Sequence, residues 1–191
     1  HPDEVGELNE DKIQHMKELC RNKKVVAVGE IGLDYYWDNE PHEVQQKWFI
    51  RQLKLAGEVK KPVIIHSREA AADTMYIMKN YAQGLGGVIH CYSYSREMAE
   101  EYVKMGFYIG IGGVVTFKNA KKLKDVAAAI PIEKIVLETD CPYMAPEPYR
   151  GKRNQSSYIR YVAEKIAELK EMSLEEVIAV TEKNARDLYG I

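Results

Sequence analysis

Five short apolar runs, hardly interrupted by polar residues, constrain the fold of this chain most strongly. They occupy residues 25–28, 63–65, 87–89, 107–111 and 135–137. Continuous rather than alternating apolar runs are typical of strands that are buried on both faces of a parallel sheet. Segments with the apolar spacing of amphipathic helices lie between these runs. The sequence therefore predicts an α/β chain in which strands and helices alternate.

The spacing of the runs indicates the architecture. Their first residues lie roughly 28 positions apart on average, the length of one strand–helix unit, and eight such units form a (β/α)₈ barrel of typically ~250 residues. The chain has 191 residues and shows five units. Either the sheet is open, or about three units of such a barrel are missing from its front. Residues 1–191 are expected to form one domain.

Local capping signals predict where several helices begin. Asn9, Ser95 and Asn119 each precede a helical stretch as candidate N-caps. Ser173 and Glu176 have the spacing of a capping box. The segment from Asp140 to Gln155 carries three prolines and no helical or strand pattern, so we expect a long loop there, of the kind that often binds ligands.

Composition excludes several classes of protein. With 27 basic and 29 acidic residues and 46 % hydrophobic residues, the chain is neither a polycation nor intrinsically disordered. A net charge of −2 argues against extensive non-specific duplex binding. No apolar run is long enough to cross a membrane, and three widely separated cysteines favour a reducing compartment. The expected location is the cytoplasm.

Chemistry-bearing side chains follow the predicted strands. Glu30, His66 and His90 each come after a different apolar run, and Glu138 and Asp140 follow the last. The carboxyl ends of parallel strands meet at one edge of a sheet, so these groups are expected to converge. Imidazole and carboxylate groups are ligands of Zn²⁺ and Mn²⁺, whereas Mg²⁺ prefers oxygen. The alternative is that the histidines are hydrogen-bonded core residues and Glu30 a solvated strand end.

Basic and aromatic residues near the same strand ends suggest a phosphodiester substrate. Guanidinium groups bind phosphate in a bidentate manner, and aromatic rings stack on bases. A solvated loop is the alternative for the basic residues. The residues concerned are Arg68, Arg150, Lys152, Arg153, Tyr35, Tyr36, Tyr143 and Tyr149.

Other chemistries find little support in the sequence. The two glycine-rich segments, 29–32 and 110–113, lack the third glycine of a dinucleotide-binding fingerprint, and no phosphate-binding P-loop occurs. Cys91 stands beside His90, but no acid–base arrangement that would make it a nucleophile is legible.

Four ordered segments resemble the signature motifs of the TatD family, metal-dependent nucleases of the amidohydrolase superfamily. They read GEIGLDY at 29–35, PVIIHSR at 62–68, IHCYS at 89–93 and LETDCPY at 137–143. RGKRN at 150–154 is similar to the family's loop after the last strand. The resemblance covers essentially the whole chain. It implies a parallel (β/α)₈ barrel of the TIM type, truncated here to about five strand–helix units, so that residues 1–191 would form an N-terminally incomplete barrel. It also implies hydrolysis of DNA from the 3′ end of single strands, with one or two divalent ions, Mg²⁺, Mn²⁺ or Zn²⁺.

The resemblance also implies roles for individual residues. Glu30 would bridge two metals, His66 and His90 would bind the second ion, and Asp140 would bind the first and help deprotonate the attacking water. Glu138 would support the site. Arg68 and Tyr143 would contact the DNA, and the basic loop adds Arg150 and Arg153 as candidate substrate-binding residues.

Two features depart from the family pattern. Gln155-Ser156 stands where the family usually has Glu-Pro, and the His-x-His pair of the family's first strand is absent. His1 looks like the end of the family's third strand segment and is not expected to replace that pair. We therefore expect at most one tightly bound metal, and activity that is weak or absent compared with a complete barrel.

Alternatives to a deoxyribonuclease stay open from the sequence. One is an ester or amide hydrolase with the same barrel, such as an aminoacyl-tRNA deacylase. Another is an inactive module that pairs through exposed sheet edges. A full barrel is expected to be a monomer, and this shorter chain a possible dimer through those edges, with no membrane partner.

Overall fold

A computed structural model describes residues 1–37 and 39–191. The contacts within it divide the chain into two compact units. The first unit comprises His1–Ile89 with Leu188–Gly190, and the second comprises His90–Asp187 with Ile191. Each unit is built of parallel strands that alternate with helices, as the apolar pattern predicts.

The first unit begins with a 3₁₀ helix and continues with three strands and three helices. The 3₁₀ helix spans Pro2–Glu7. The remaining elements are α1 (Glu10–Leu19), β1 (Val28–Asp34), α2 (His42–Val59), β2 (Val63–Arg68), α3 (Ala71–Tyr81) and β3 (Gly87–Ile89).

The three strands of the first unit form a parallel sheet in the order β1, β2, β3. Ile31 pairs with Ile65, and Ile65 pairs with Ile89. The expected bounds of the first strand were wrong, because β1 begins at Val28 and continues to Asp34. Its pairing with β2 extends to Asp34 opposite Arg68, so Glu30 lies within the strand rather than after it.

A glycine in β1 permits this close pairing. Gly32 has a φ of +144°, and a Cβ atom added there would lie 1.8 Å from the carbonyl oxygen of His66. Only glycine fits this backbone position without displacing β2. The glycine-rich segment 29–32 therefore serves strand pairing.

The core of the first unit consists of the strand side chains and the inner face of α2. Leu33, Val63 and Ile65 are fully buried, as are Phe49 and Leu53 of α2. A second cluster joins Val5, Ile13, Trp48 and Leu55. Asn9 caps α1 as predicted: its Oδ1 accepts a hydrogen bond from the Lys12 backbone N–H at 2.9 Å.

The second unit contains two described strands and four helices. They are α4 (Arg96–Lys104), β4 (Tyr108–Ile111), α5 (Lys121–Ala129), β5 (Ile135–Leu137), α6 (Ile159–Lys170) and α7 (Leu174–Tyr189), with 3₁₀ helices at Gly113–Thr116, Ile132–Lys134 and Ser156–Tyr158. Strands β4 and β5 are parallel, with Gly110 opposite Val136.

The capping predictions are confirmed in the second unit, with one exception. Ser95 caps α4, and Ser173 and Glu176 form the expected capping box. Asn119 does not cap α5, which begins at Lys121 after Ala120. No helix or strand is described between β5 and the 3₁₀ helix at Ser156–Tyr158, so the expected long loop is confirmed.

A buried amide ties α7 to the strand edge of the second unit. The Nδ2 group of Asn184 donates hydrogen bonds to the carbonyl oxygens of Ile132 and Ile135, both at 2.7 Å. Tyr102, Phe107 and Ile109 are fully buried in the same core. Across the described residues, none of the helices combines the length and apolar character needed to cross a membrane.

Candidate metal centre

The first unit brings two of the predicted ligands together on adjacent strands. Glu30 lies in β1 and His66 in β2, and the Nδ1 atom of His66 is 3.6 Å from Oε2 of Glu30. The register places His66 opposite Gly32, two residues along the strand from Glu30. The Glu30 side chain is 38 % exposed, so a ligand from solvent can reach this carboxylate.

His1 joins this pair and completes a three-residue cluster. One donor atom each from His1, Glu30 and His66 lie within 4.8 Å of one another. The rings of His1 and His66 are in edge contact, with centroids 4.5 Å apart. His1 was not among the predicted ligands, because it was expected to end a strand. In the structure it precedes the 3₁₀ helix Pro2–Glu7 as its N-cap.

Asp34 orients the imidazole of His66. Asp34 is 1 % exposed, and its Oδ2 atom lies 2.9 Å from Nε2 of His66. A carboxylate accepts but does not donate, so Nε2 carries the proton and Nδ1 presents its lone pair toward Glu30. The buried Gln45 holds the backbone of Asp34 from both sides, by accepting from its N–H at 2.8 Å and donating to its carbonyl at 3.0 Å.

A further carboxyl group lies close to the first cluster. Burial raises the pKa of Asp3, and the charge of Asp34 raises it further, whereas His66 and Arg68 act in the opposite direction. The buried Oδ1 atom of Asp3 has no hydrogen-bond partner among residues 1–37 and 39–191. This region therefore concentrates negative charge that a cation would relieve.

The second unit brings three of the predicted residues together, namely His90, Glu138 and Asp140. The Nδ1 atom of His90 lies 2.8 Å from Oε2 of Glu138, and Nε2 lies 3.1 Å from Oδ1 of Asp140. The backbone N–H of Cys91 donates to Oε1 of Glu138. Glu138 thus holds the Nδ1 proton of His90, which leaves Nε2 and Asp140 as candidate ligands.

Gly110 makes room for Glu138. A Cβ atom added at Gly110 would lie 2.7 Å from Oε2 of Glu138. Glu138 is already held by His90 and by the Cys91 N–H, so it cannot move away without breaking those contacts. The close approach of this carboxylate therefore explains Gly110, whereas a Cβ atom added at Gly113 would lie 2.4 Å from the carbonyl oxygen of Met144.

The predicted substrate residues have different surroundings. The Arg68 guanidinium lies over the ring of Tyr36, 3.9 Å from its centroid, and Tyr143 is 73 % exposed beside Asp140. Arg150 packs over the ring of Phe117, and Arg153 is exposed. Tyr35 and Tyr149, expected to stack on bases, stack instead on His42 and Tyr158, respectively.

The donor set of the first cluster fits a divalent metal. Two imidazoles and a carboxylate, gathered with partial access to solvent, match the ligand chemistry of Zn²⁺ and Mn²⁺. His66 also has the carboxylate partner that ligating histidines commonly have. The residues present therefore fit the group that the sequence predicts.

Comparison with a family model shows to which family this chain belongs. The model described as "TatD related DNase" matches residues 1–190. The chain belongs to this TatD family. The predicted resemblance is confirmed, as is the α/β class with parallel strands, because the family match and the structural neighbours agree.

Individual proteins are similar to the whole length of this chain. An uncharacterized metal-dependent hydrolase, YabD from Bacillus subtilis, is 49 % identical over 192 residues, which cover 100 % of this chain and 75 % of YabD. A protein of Edwardsiella piscicida named 3′-5′ ssDNA/RNA exonuclease TatD is 33 % identical over 197 residues, covering 100 % of the chain and 76 % of that protein.

A crystal structure gives the same result for the fold. The TatD homologue YjjV of Escherichia coli K12 superimposes with a TM-score of 0.92 at 32 % identity, covering 100 % of this chain and 74 % of YjjV. The family relationship makes the chain a TatD-family metal-dependent hydrolase, for which a divalent metal is plausible.

Proposed function

We propose that this TatD-family hydrolase cleaves phosphodiester bonds of single-stranded DNA from the 3′ end. The observation that carries the proposal is the cluster of His1, Glu30 and His66, whose donor atoms lie within 4.8 Å of one another. Family membership and the exonuclease name of the Edwardsiella relative support the choice of a nucleic-acid substrate.

The proposed ligands are Glu30 and His66 in the first unit and His90 and Asp140 in the second. A divalent ion held by such residues would supply acidification of bound water and polarisation of a phosphoryl oxygen. Mg²⁺, Mn²⁺ and Zn²⁺ are the candidates. His1 is an additional donor in the first unit.

The chain's own residues supply the remaining functions. Asp34 and Glu138 each hold one proton of a histidine, on His66 and His90 respectively, so that the other ring nitrogen keeps its lone pair. Asp140, 31 % exposed, accepts a proton from the attacking water in this proposal.

Four residues are proposed to bind the substrate. Arg68, Arg150 and Arg153 are exposed cations suited to phosphate, and Tyr143 presents an open ring. The backbone N–H of Tyr143 donates to the Asp140 carbonyl at 2.7 Å, which keeps that ring next to a proposed ligand.

The test compares substrates of different chemistry on the same protein. We expect slow release of 3′ nucleotides from a labelled single-stranded oligonucleotide with Mn²⁺ or Mg²⁺, and loss of that activity in EDTA and in Glu30→Gln. Glu182→Gln, an exposed carboxylate on α7, is the matched control and should retain activity. Hydrolysis of an aminoacyl ester in place of the oligonucleotide would overturn the phosphodiester assignment.

A further inference from the structure

Two large aromatic side chains are exposed directly after β1. Tyr36 is 49 % exposed and Trp37 is 57 % exposed, and their rings meet edge to face with centroids 5.0 Å apart. The Arg68 guanidinium lies 3.9 Å from the centroid of Tyr36 and 5.4 Å from that of Trp37. We call Tyr36, Trp37 and Arg68 the stacking platform. Exposed aromatic groups of this size commonly mark a binding surface.

The stacking platform is joined to the first metal-ligand cluster by short hydrogen bonds. The backbone N–H groups of Tyr36 and Trp37 donate to Oδ1 of Asp34 at 2.9 and 3.0 Å. The other oxygen of Asp34 contacts His66. One buried carboxylate therefore sets both the orientation of a proposed ligand and the position of the two aromatic residues.

Strand pairing fixes the third member of the stacking platform. Arg68 is the last residue of β2 and lies opposite Asp34 in the parallel register. Its carbonyl oxygen accepts from the Tyr35 N–H at 2.9 Å. The cation and the aromatic rings are thus held on two paired strand ends, so little ordering is needed when a ligand binds.

We propose that the stacking platform binds one nucleotide of a single-stranded substrate, with a base stacked on the exposed ring of Trp37 and the adjoining phosphate on Arg68, which Tyr36 supports. An exposed indole ring beside a guanidinium complements a base linked to a phosphate, and such stacking tolerates every base. This inference rests on the proposed nucleic-acid substrate and adds the subsite that would hold it. From the sequence, Tyr35 rather than Trp37 was a candidate to stack on a base. In the structure, the Tyr35 hydroxyl donates a hydrogen bond to Asp73.

Tryptophan fluorescence tests this subsite without any hydrolysis. The chain has two tryptophans, and Trp48 is only 7 % exposed. In Trp48→Phe, emission reports on Trp37 alone. We expect oligothymidylate, added in EDTA, to quench this emission by at least half. An abasic oligonucleotide of equal length and charge should quench it far less.

A second measurement covers the case in which Trp48→Phe does not fold. Trp37→Ala in the otherwise unchanged chain should weaken binding of a fluorescein-labelled oligonucleotide by about tenfold, measured by anisotropy in EDTA. Tyr76→Ala removes an aromatic ring of α3 that is 65 % exposed and should leave binding unchanged.

The outcomes separate this inference from the proposed function. Equal quenching by the abasic strand, or unchanged affinity in Trp37→Ala, would overturn the stacking platform even if the protein hydrolyses DNA. Base-dependent quenching without metal-dependent hydrolysis would support the stacking platform and contradict the proposed activity.

Discussion

The Nε2 atom of His66 lies 2.9 Å from Oδ2 of Asp34, a carboxylate that is 1 % exposed. This contact assigns the two imidazole nitrogens, because the one that faces Asp34 carries the proton and the other faces Glu30. Asp34 also receives two backbone hydrogen bonds from the following turn. The turn and the imidazole therefore depend on the same side chain.

Replacement of Asp34 by Asn should weaken metal binding without unfolding the protein. The amide keeps one acceptor oxygen for the turn but loses the charge that favours the proper tautomer of His66. We expect a roughly 10- to 100-fold lower Mn²⁺ affinity by isothermal titration calorimetry. Asp125→Asn, at an exposed position of α5, is the control. Wild-type affinity in Asp34→Asn would show that this carboxylate does not orient a ligand.

A methyl group at Gly110 should displace Glu138. The added Cβ would lie 2.7 Å from Oε2, and Glu138 can give way only by releasing His90 or the Cys91 N–H. We expect Gly110→Ala to lose at least about tenfold in oligonucleotide hydrolysis while its circular dichroism stays native.

Gly86→Ala provides the comparison for Gly110→Ala. No atom lies within 4 Å of a Cβ built at Gly86, so this substitution adds the same methyl group without a contact. It should leave hydrolysis unchanged. Equal activity in the two variants would mean that Glu138 has no role at His90.

Alkaline pH should destabilise the fold through buried tyrosines. Burial raises the pKa of Tyr35 to about 12, and burial also raises the pKa of Tyr92 and Tyr102. The folded state then binds these protons more tightly than the unfolded state. The resulting stability is complete below pH ~10, the ordinary pKa of tyrosine, and decreases as the pH rises toward 12.

Urea unfolding between pH 8 and 11 measures this decrease, and Tyr102→Phe isolates one contribution. The buried hydroxyl of Tyr102 has no hydrogen-bond partner in the described part of the chain, so its removal should cost little at pH 7. It should also flatten the pH dependence, whereas exposed Tyr76→Phe should not. If the stability of Tyr102→Phe decreased with pH as steeply as that of the wild type, a raised pKa of Tyr102 would be contradicted.

Local signals predicted much of this fold. Capping by Asn9, Ser95 and Ser173 depends on residues three positions apart, so the sequence contains the whole interaction. The extent of β1 depends on backbone pairing with β2, which side-chain hydrophobicity does not report. Glu30 and Gly32 interrupt the apolar run although both lie in the strand.

The candidate site was predictable in part, because only some of its residues are marked by a local pattern in the sequence. Glu30 and His66 were identified because they follow apolar runs. Asp34 was missed, although it lies four residues beyond Glu30 on the same strand, where alternate residues share a face. His1 was missed because its approach to His66 is a tertiary contact at the chain's first residue, with no periodic pattern to reveal it.

Titration with Mn²⁺, followed by loss of the free-ion signal in electron paramagnetic resonance, tests the central claim most directly. We predict that the wild-type chain binds Mn²⁺ and that Glu30→Gln and His66→Ala each weaken binding by at least about tenfold, whereas Glu182→Gln does not. Undiminished Mn²⁺ binding in both Glu30→Gln and His66→Ala would contradict a metal centre built on these two residues.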